Sequence, residues 1–326
     1  MLFSRSSRKA DLTPFIALLL AFFSTHCAAQ AYPTKPIRLI VATSPGGLMD
    51  VPARLLADYF EKHYGQRVVV ENRGGGGGVM AGDAIAKAAP DGYTLAQIQV
   101  GNVAINPFTV KDLPFDPLRD FAPVAPLTSS PVVVAVDARL GVATLADFIA
   151  AAKREPGKLN YGSAGPGTIP HLAGELFCMV AGVRLTPVHY RGAGPALADL
   201  LAGQVQAIFV GLGVVRTQGA VKMLAVSQAR RLAAAPDIPT AAEAGLPGFE
   251  LTTWFGIVAP RGTPTPIVAQ LNRQIHAMLD DPLVRQRLAD GGLEPLKESP
   301  AEFGSRMRRD HERFRDIVKA AGLKPE

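Results

Sequence analysis

Apolar and polar positions along the chain switch between two periods. Residues 37–43 (IRLIVAT) are a short apolar run, as a strand covered on both faces requires. Over 51–64 the period becomes helical: Val51, Leu55, Leu56, Tyr59 and Phe60 share one face. Asp50 is the expected N-cap of that helix, and Gly65 follows its end. A second strand is predicted over 67–71, a second helix over roughly 80–88 and a third strand over 93–100. This βαβαβ order predicts a parallel sheet with right-handed crossovers.

Residues 101–130 are rich in proline and read as irregular, and the strand pattern restarts at 131–136 (PVVVAV). Thr144 and Asp147 open a helix at capping-box spacing. A second series follows: strand 159–162, helix 170–181, strand 186–190, helix 195–201 and strand 206–210. A strand over 222–227 and a further element at 254–259 precede three closing helices. Each of these is expected to start at a cap residue before proline, at Thr263/Pro264, Asp281/Pro282 and Ser299/Pro300. The pattern describes two α/β lobes without a solenoid repeat.

The first residues stand apart. Arg5, Arg8 and Lys9 precede the apolar run 14–23 (PFIALLLAFF), and small residues follow in CAAQA. This is the order of a cleavable secretory signal over 1–31, with an apolar run too short to span a bilayer core of about 30 Å. Ala29 and Ala31 fit the −3 and −1 positions; cleavage after Ala29 is the alternative. Cys27 suggests a lipoprotein, but His26 stands where a small residue is expected before a lipidated cysteine. Removal of the signal takes away Arg5, Arg8, Lys9 and Asp11 and lowers the net charge from +6 to +4. It also leaves Cys178 alone, within LFCMVAGV, as a buried inert thiol. An apolar content of 48% excludes a disordered chain. Arg308, Arg309, Arg313 and Arg315 interleave with Asp310, Glu312 and Asp316, which reads as a solvated helix face and not as a nucleic-acid footprint.

Candidate chemistry concentrates in three glycine loops between a strand and a helix: 44–50 (SPGGLMD), 73–78 (RGGGGG) and 162–168 (GSAGPGT). Unpaired backbone N–H groups and the helix dipole favour an anion at such sites. Ser44, Ser163 and Thr168 add hydroxyl donors. The same glycines also serve simple turns. Gly76, Gly78 and Ala81 fit a dinucleotide fingerprint, yet no acidic residue ends the next strand, and Asp91 lies before it. No Gly-Lys-Ser/Thr follows for a P-loop. A nucleophile elbow at Ser163 fails because Tyr161 holds the first glycine position. A Ser163–His171–Asp triad remains open. His63, His171, His189, His276 and His311 lack the spacing of a metal site.

The chain resembles a known family through nearly all of its length after the signal. The resemblance rests on SPGGLMD, VVVENRGGGGG, PDGYTL, INP, FDPLRDFAPV, GKLNYGSAGPGT, HLAGELF, YRGAGPALADLLAGQV, PDIPTAAEAGLPGFE and WFGIVAPRGTP, in the family's order. The family is the tripartite tricarboxylate transporter substrate-binding proteins, or Bug-type receptors. The resemblance implies a two-lobe type II periplasmic-binding-protein fold, with 32–127 and 250–326 as lobe I and 128–249 as lobe II. It implies a periplasmic monomer that binds a small organic carboxylate and serves a two-subunit membrane transporter. No catalysis, cofactor or metal is implied. By position, Ser44, Gly46, Gly47 and Asp50 form the lobe I loop, and Ser163, Gly167 and Thr168 grip the carboxylate from lobe II. Asn102 and Val210 shape the cleft. Val210 and Gly211 replace the family's Asp-Asn-like pair, which favours a less polar ligand tail. Thr43–Ser44 replaces a Phe/Pro pair, and Gly74 and Gly76 stand where Pro and Ala are usual. The alternatives are a ligand-sensing protein for a membrane sensor kinase and a periplasmic hydrolase using Ser163.

Overall fold

The computed structural model describes residues 32–325, apart from Ser44, Gly46, Gly47, Gly75, Arg191 and Thr217. The expected signal over 1–31 lies outside the described residues. Within Lys35–Glu326, β1 (Ile37–Val41), α1 (Asp50–Tyr64), β2 (Val68–Asn72), α2 (Val79–Ala86) and β3 (Thr94–Gln99) form the expected βαβαβ unit. β1 lies between β2 and β3 and is parallel to both. Ile37, Leu39, Ile40 and Val41 are fully buried, which is why this strand is apolar throughout.

The Pro-rich stretch is more ordered than expected. It holds α3 (Val100–Ala104), α4 (Asn106–Thr109), α5 (Pro117–Asp120) and the start of β4 (Phe121–Asp137), a strand of 17 residues. Pro123 and Pro126 lack the N–H that a ladder uses, and the register of β4 slips beside each of them. The strand continues through these irregularities, so proline there marks a bulge and not a loop.

The second half repeats the first. After α6 (Leu145–Arg154) come β5 (Asn160–Ser163), α7 (Ile169–Ala181), β6 (Thr186–His189), α8 (Ala193–Ala202), β7 (Ala207–Gly211), α9 (Leu212–Val215) and β8 (Val221–Val226). β5 lies between β6 and β7 and is parallel to both. Then β9 (Thr252–Pro260), α10 (Thr265–Asp280), α11 (Pro282–Asp290), β10 (Glu294–Pro295) and α12 (Pro300–Ala320) complete the chain. The strand order is β2-β1-β3-β9-β4-β7-β5-β6, with β8 and β10 also on β4. β4 pairs with β9 over 121–131 and with β7 over 132–136. One strand therefore belongs to both halves of the sheet.

Three expected caps form: the Thr144/Asp147 box, Asp281 accepting from the Leu283 and Val284 amides, and the Ser299/Glu302 box. Two differ. α10 starts at Thr265 with Pro264 before it, and the Thr263 hydroxyl donates instead to the Pro260 carbonyl at 2.8 Å. The second Thr-Pro pair of TPTP supplies the helix start, one turn residue later than expected. α1 begins at Asp50 itself, behind Met49, without a side-chain cap. The Asp50 carboxylate accepts from Arg54 Nε at 2.8 Å and Asn72 Nδ2 at 2.9 Å, which ties the helix start to the end of β2. Cys178 is half-buried, and burial pushes its thiol up to about 11, which disfavours the reactive thiolate.

Candidate functional site

The C-terminal ends of β1, β3, β5 and β7 converge on one cavity of about 350 Å³. Open α/β sheets hold ligands at these strand ends. Each glycine loop contributes: Leu48 and Met49 belong to the first, with Thr43 just before it, Gly77 belongs to the second, and Gly167 and Thr168 to the third. Alternate residues of the crossover strands complete the wall, Ser130 and Val132 from β4, Thr253 and Phe255 from β9. No charged side chain lines the cavity among the described residues. The polar lining is neutral, and Ile105, Ile169, Phe209, Val210 and Phe255 make a substantial apolar part.

Two asparagines build the second loop. Asn102 Nδ2 donates to the Gly77 carbonyl at 2.7 Å and Asn106 Nδ2 to the same oxygen at 3.1 Å. Asn102 Oδ1 accepts from the Gln99 amide at 3.0 Å, which joins the loop to the end of β3. Asn102 is fully buried.

The third loop is held from within. Ser163 Oγ lies 2.7 Å from His189 Nδ1 and accepts from the Gly165 amide at 3.3 Å. The Thr168 hydroxyl donates to the Gly165 carbonyl at 2.7 Å. The Gly167 amide donates to His171 Nδ1 at 3.1 Å, and this places the imidazole proton on Nε2. At the start of α7, Pro170 has no N–H, so the first-turn donors there are Ile169 and His171.

The model of the tripartite tricarboxylate transporter family receptor matches residues 52–323. The chain belongs to this family. The receptor is 33% identical over 323 residues to protein BugT of Bordetella pertussis, covering 96% of this chain and 99% of that protein. Among solved structures it resembles R. palustris Rpa4515 with adipate, at 36% identity and TM-score 0.79, over 90% of this chain and 100% of that one. It also resembles MatC of Rhodopseudomonas palustris with bound malate, at 34% identity and TM-score 0.73, over 88% and 100%. The periplasmic binding protein BugD matches at 31% identity and TM-score 0.74, over 90% and 100%. The receptor has the two-lobe periplasmic-binding-protein fold of these relatives, and its family consists of solute receptors.

Of the residues singled out in the sequence, Gly167, Thr168 and Val210 line the receptor's cavity. Asp50, Asn102 and Ser163 are buried beside it and do not line it. Ser44, Gly46 and Gly47 lie outside the described residues. The partner of Ser163 is His189, not His171, and Ser163 has no exposed surface for a substrate to reach. Gln99, Asn106, Ser130 and Thr253 were not singled out. Gln99 ends β3, Ser130 and Thr253 lie on the crossover strands, and Asn106 starts α4 within the INP segment; each is a single polar residue with no motif around it that marks a cavity wall.

His171 is buried against the His189 ring, with ring centroids 4.7 Å apart. Burial, and then His189, lowers its pKa to about 4. The unfolded chain therefore takes up this proton first, near pH 6.5. The stabilisation is complete above that pH and is lost as pH falls from 6.5 towards 4, by as much as about 3 kcal/mol. Urea midpoints measured across this window should fall steeply for the receptor and less for His171→Gln. Equal slopes would show that another group carries the acid sensitivity.

Proposed function

We propose that this receptor is exported to the periplasm, binds a small organic acid between its lobes as a monomer, and presents it to a two-subunit membrane transporter of the tripartite tricarboxylate type. In this reading lobe I is 32–127 with 250–326 and lobe II is 128–249, and a ligand that bridges them favours the closed state. The observation that carries it is the uncharged cavity where four strand ends and three glycine loops meet. A carboxylate is held there by backbone N–H groups at loop and helix starts, including Gly46 and Gly47, and by the hydroxyl of Ser44, while Thr168 keeps the third loop in shape through its bond to the Gly165 carbonyl. Asp50, Asn102 and Ser163 hold those loops in place. The adipate and malate in related structures support a carboxylate. The apolar wall of Phe209, Val210 and Phe255 favours an acid with an apolar body.

The test is a thermal-shift series of aliphatic and aromatic acids against their neutral amides. A matching acid at a hundred times its Kd adds about 2.7 kcal/mol of stability, and the amide adds almost none. Trp254, the single tryptophan, is buried between Thr253 and Phe255 and gives an independent fluorescence titration. Stabilisation by the amides but by none of the acids would overturn the carboxylate reading.

A further inference from the structure

A second hollow of about 840 Å³ lies behind the crossover strands. Neighbouring strand positions face opposite ways. Ser130 and Thr253 line the front cleft, whereas Ser129 and Thr252 line this back groove. The strands that join the two halves thus separate the two spaces. A rotation about them that narrows the front must widen the back.

The groove has two banks. One is 228–234, which follows β8; the other runs from Arg285 to Arg306 and includes β10. Both carry cations: Arg230 and Arg231 on the first, Arg285, Lys297 and Arg306 on the second. Several have acidic partners outside the groove lining: Arg231 pairs with Glu243, Arg285 and Lys297 with Asp280, and Arg306 with Glu298. Glu294 is the single acidic side chain lining the groove among the described residues. It reaches across. Its Oε2 accepts from Gln228 Nε2 at 3.4 Å, and its Oε1 from the Ala233 amide at 3.5 Å. Below it, the backbones of Gly213 and Gly292 nearly touch: a Cβ on Gly292 would lie 3.0 Å from the Gly213 nitrogen. This side-chain-free approach makes a pivot, with Glu294 as the tie above it.

We propose that Glu294 sets the affinity of the front cleft from behind, by tying the two banks together and so holding the lobes apart. Both of its contacts must lengthen when the front closes, and its carboxylate also offsets the repulsion between the cationic banks. Removing it lowers the cost of closure, and the closed state becomes more populated before any ligand arrives. The inference rests on the interlobe-cleft reading above.

The experiment has two arms. In the first, spin labels on Lys62→Cys and Lys153→Cys, in a Cys178→Ser background, report the lobe separation of ligand-free protein. Glu294→Ala should shift the distance distribution towards the closed form. In the second, adipate is titrated against Trp254 fluorescence. Glu294→Ala should tighten binding by about threefold or more. A dibromobimane link between Gln228→Cys and Glu294→Cys should weaken it by about tenfold relative to the unlinked double variant. Unchanged separation in Glu294→Ala, or equal adipate affinity with and without the link, would overturn the proposal. If adipate binds no variant, the choice of acid has failed, and the label distances still decide the role of Glu294.

Discussion

Val210→Asp should reduce binding of an apolar carboxylate by more than about a hundredfold. Val210 is 3% exposed, pairs with Val133 in the sheet and lines the cavity between Phe209 and Gly211. No described side chain in that lining carries a charge to offset a new one. A second carboxylate about 5 Å from the ligand's own, at an effective dielectric constant near 20, costs about 3 kcal/mol. Val210→Asn keeps the size and adds polarity without charge, and it should lose far less. The penalty should also shrink as pH falls, because burial makes the introduced acid easier to protonate. The aspartate variant should gain affinity for acids that carry an amine, since the new wall then meets a cation. Calorimetric titration of both variants against one apolar acid and one amino acid decides the matter. An unchanged Kd for the apolar acid in Val210→Asp would remove this wall as the determinant of ligand class.

Gly78→Ala should destabilise the fold by about 3 kcal/mol. Gly78 has φ +88°, where an L side chain costs about 1–2 kcal/mol. Its added Cβ would lie 2.2 Å from Asn102 Nδ2 and 3.1 Å from the Ala42 Cβ. The Asn102 amide must then leave the Gly77 carbonyl, and a buried polar group without its partner costs about 1–3 kcal/mol. Gly194→Ala is the control: it lies in α8, its backbone is not left-handed and a Cβ there would meet nothing within 4 Å, so an alanine should change stability by no more than about 1 kcal/mol, in the stabilising direction. Urea denaturation of both variants tests this. Equal midpoints would mean that Asn102 yields freely and that the loop is not held as described.

These loops also show how far the chain could be read before its structure. Short apolar runs and helical periods located both βαβαβ units, because each residue reports its own burial. The glycine loops mark the strand ends beside which the cavity lies, since a strand that turns into a helix needs permissive backbone there. Pairing across the chain left no such local mark. Ser163 and His189 meet because β5 and β6 run parallel with these two residues in register, and their separation in sequence says nothing of it. Prolines 123 and 126 hid the first half of β4, because the local propensity of proline is overridden where a neighbouring strand tolerates a slipped register. Asp50 looked like a cap and instead reaches Asn72, a partner that only the β1–β2 pairing brings near. Ser130 and Thr253 are cleft residues because the crossover strands alternate their faces between two spaces. Ser130 falls in the proline-rich stretch 101–130, where no strand period is visible, and Thr253 just precedes the apolar run 254–259, so neither shows which space it faces.

The position of β9 bears on how the chain folds as it is made. β9 pairs with β3 on one edge and β4 on the other, yet it is made more than a hundred residues after both. Until residues 252–260 are made, β3 and the first half of β4 have no strand between them. Contacts at such separation form slowly, because a long loop must close before they contribute. The first unit can therefore not complete its sheet early, whereas β7, β5 and β6 can pair on the second half of β4 before the last third of the chain is made.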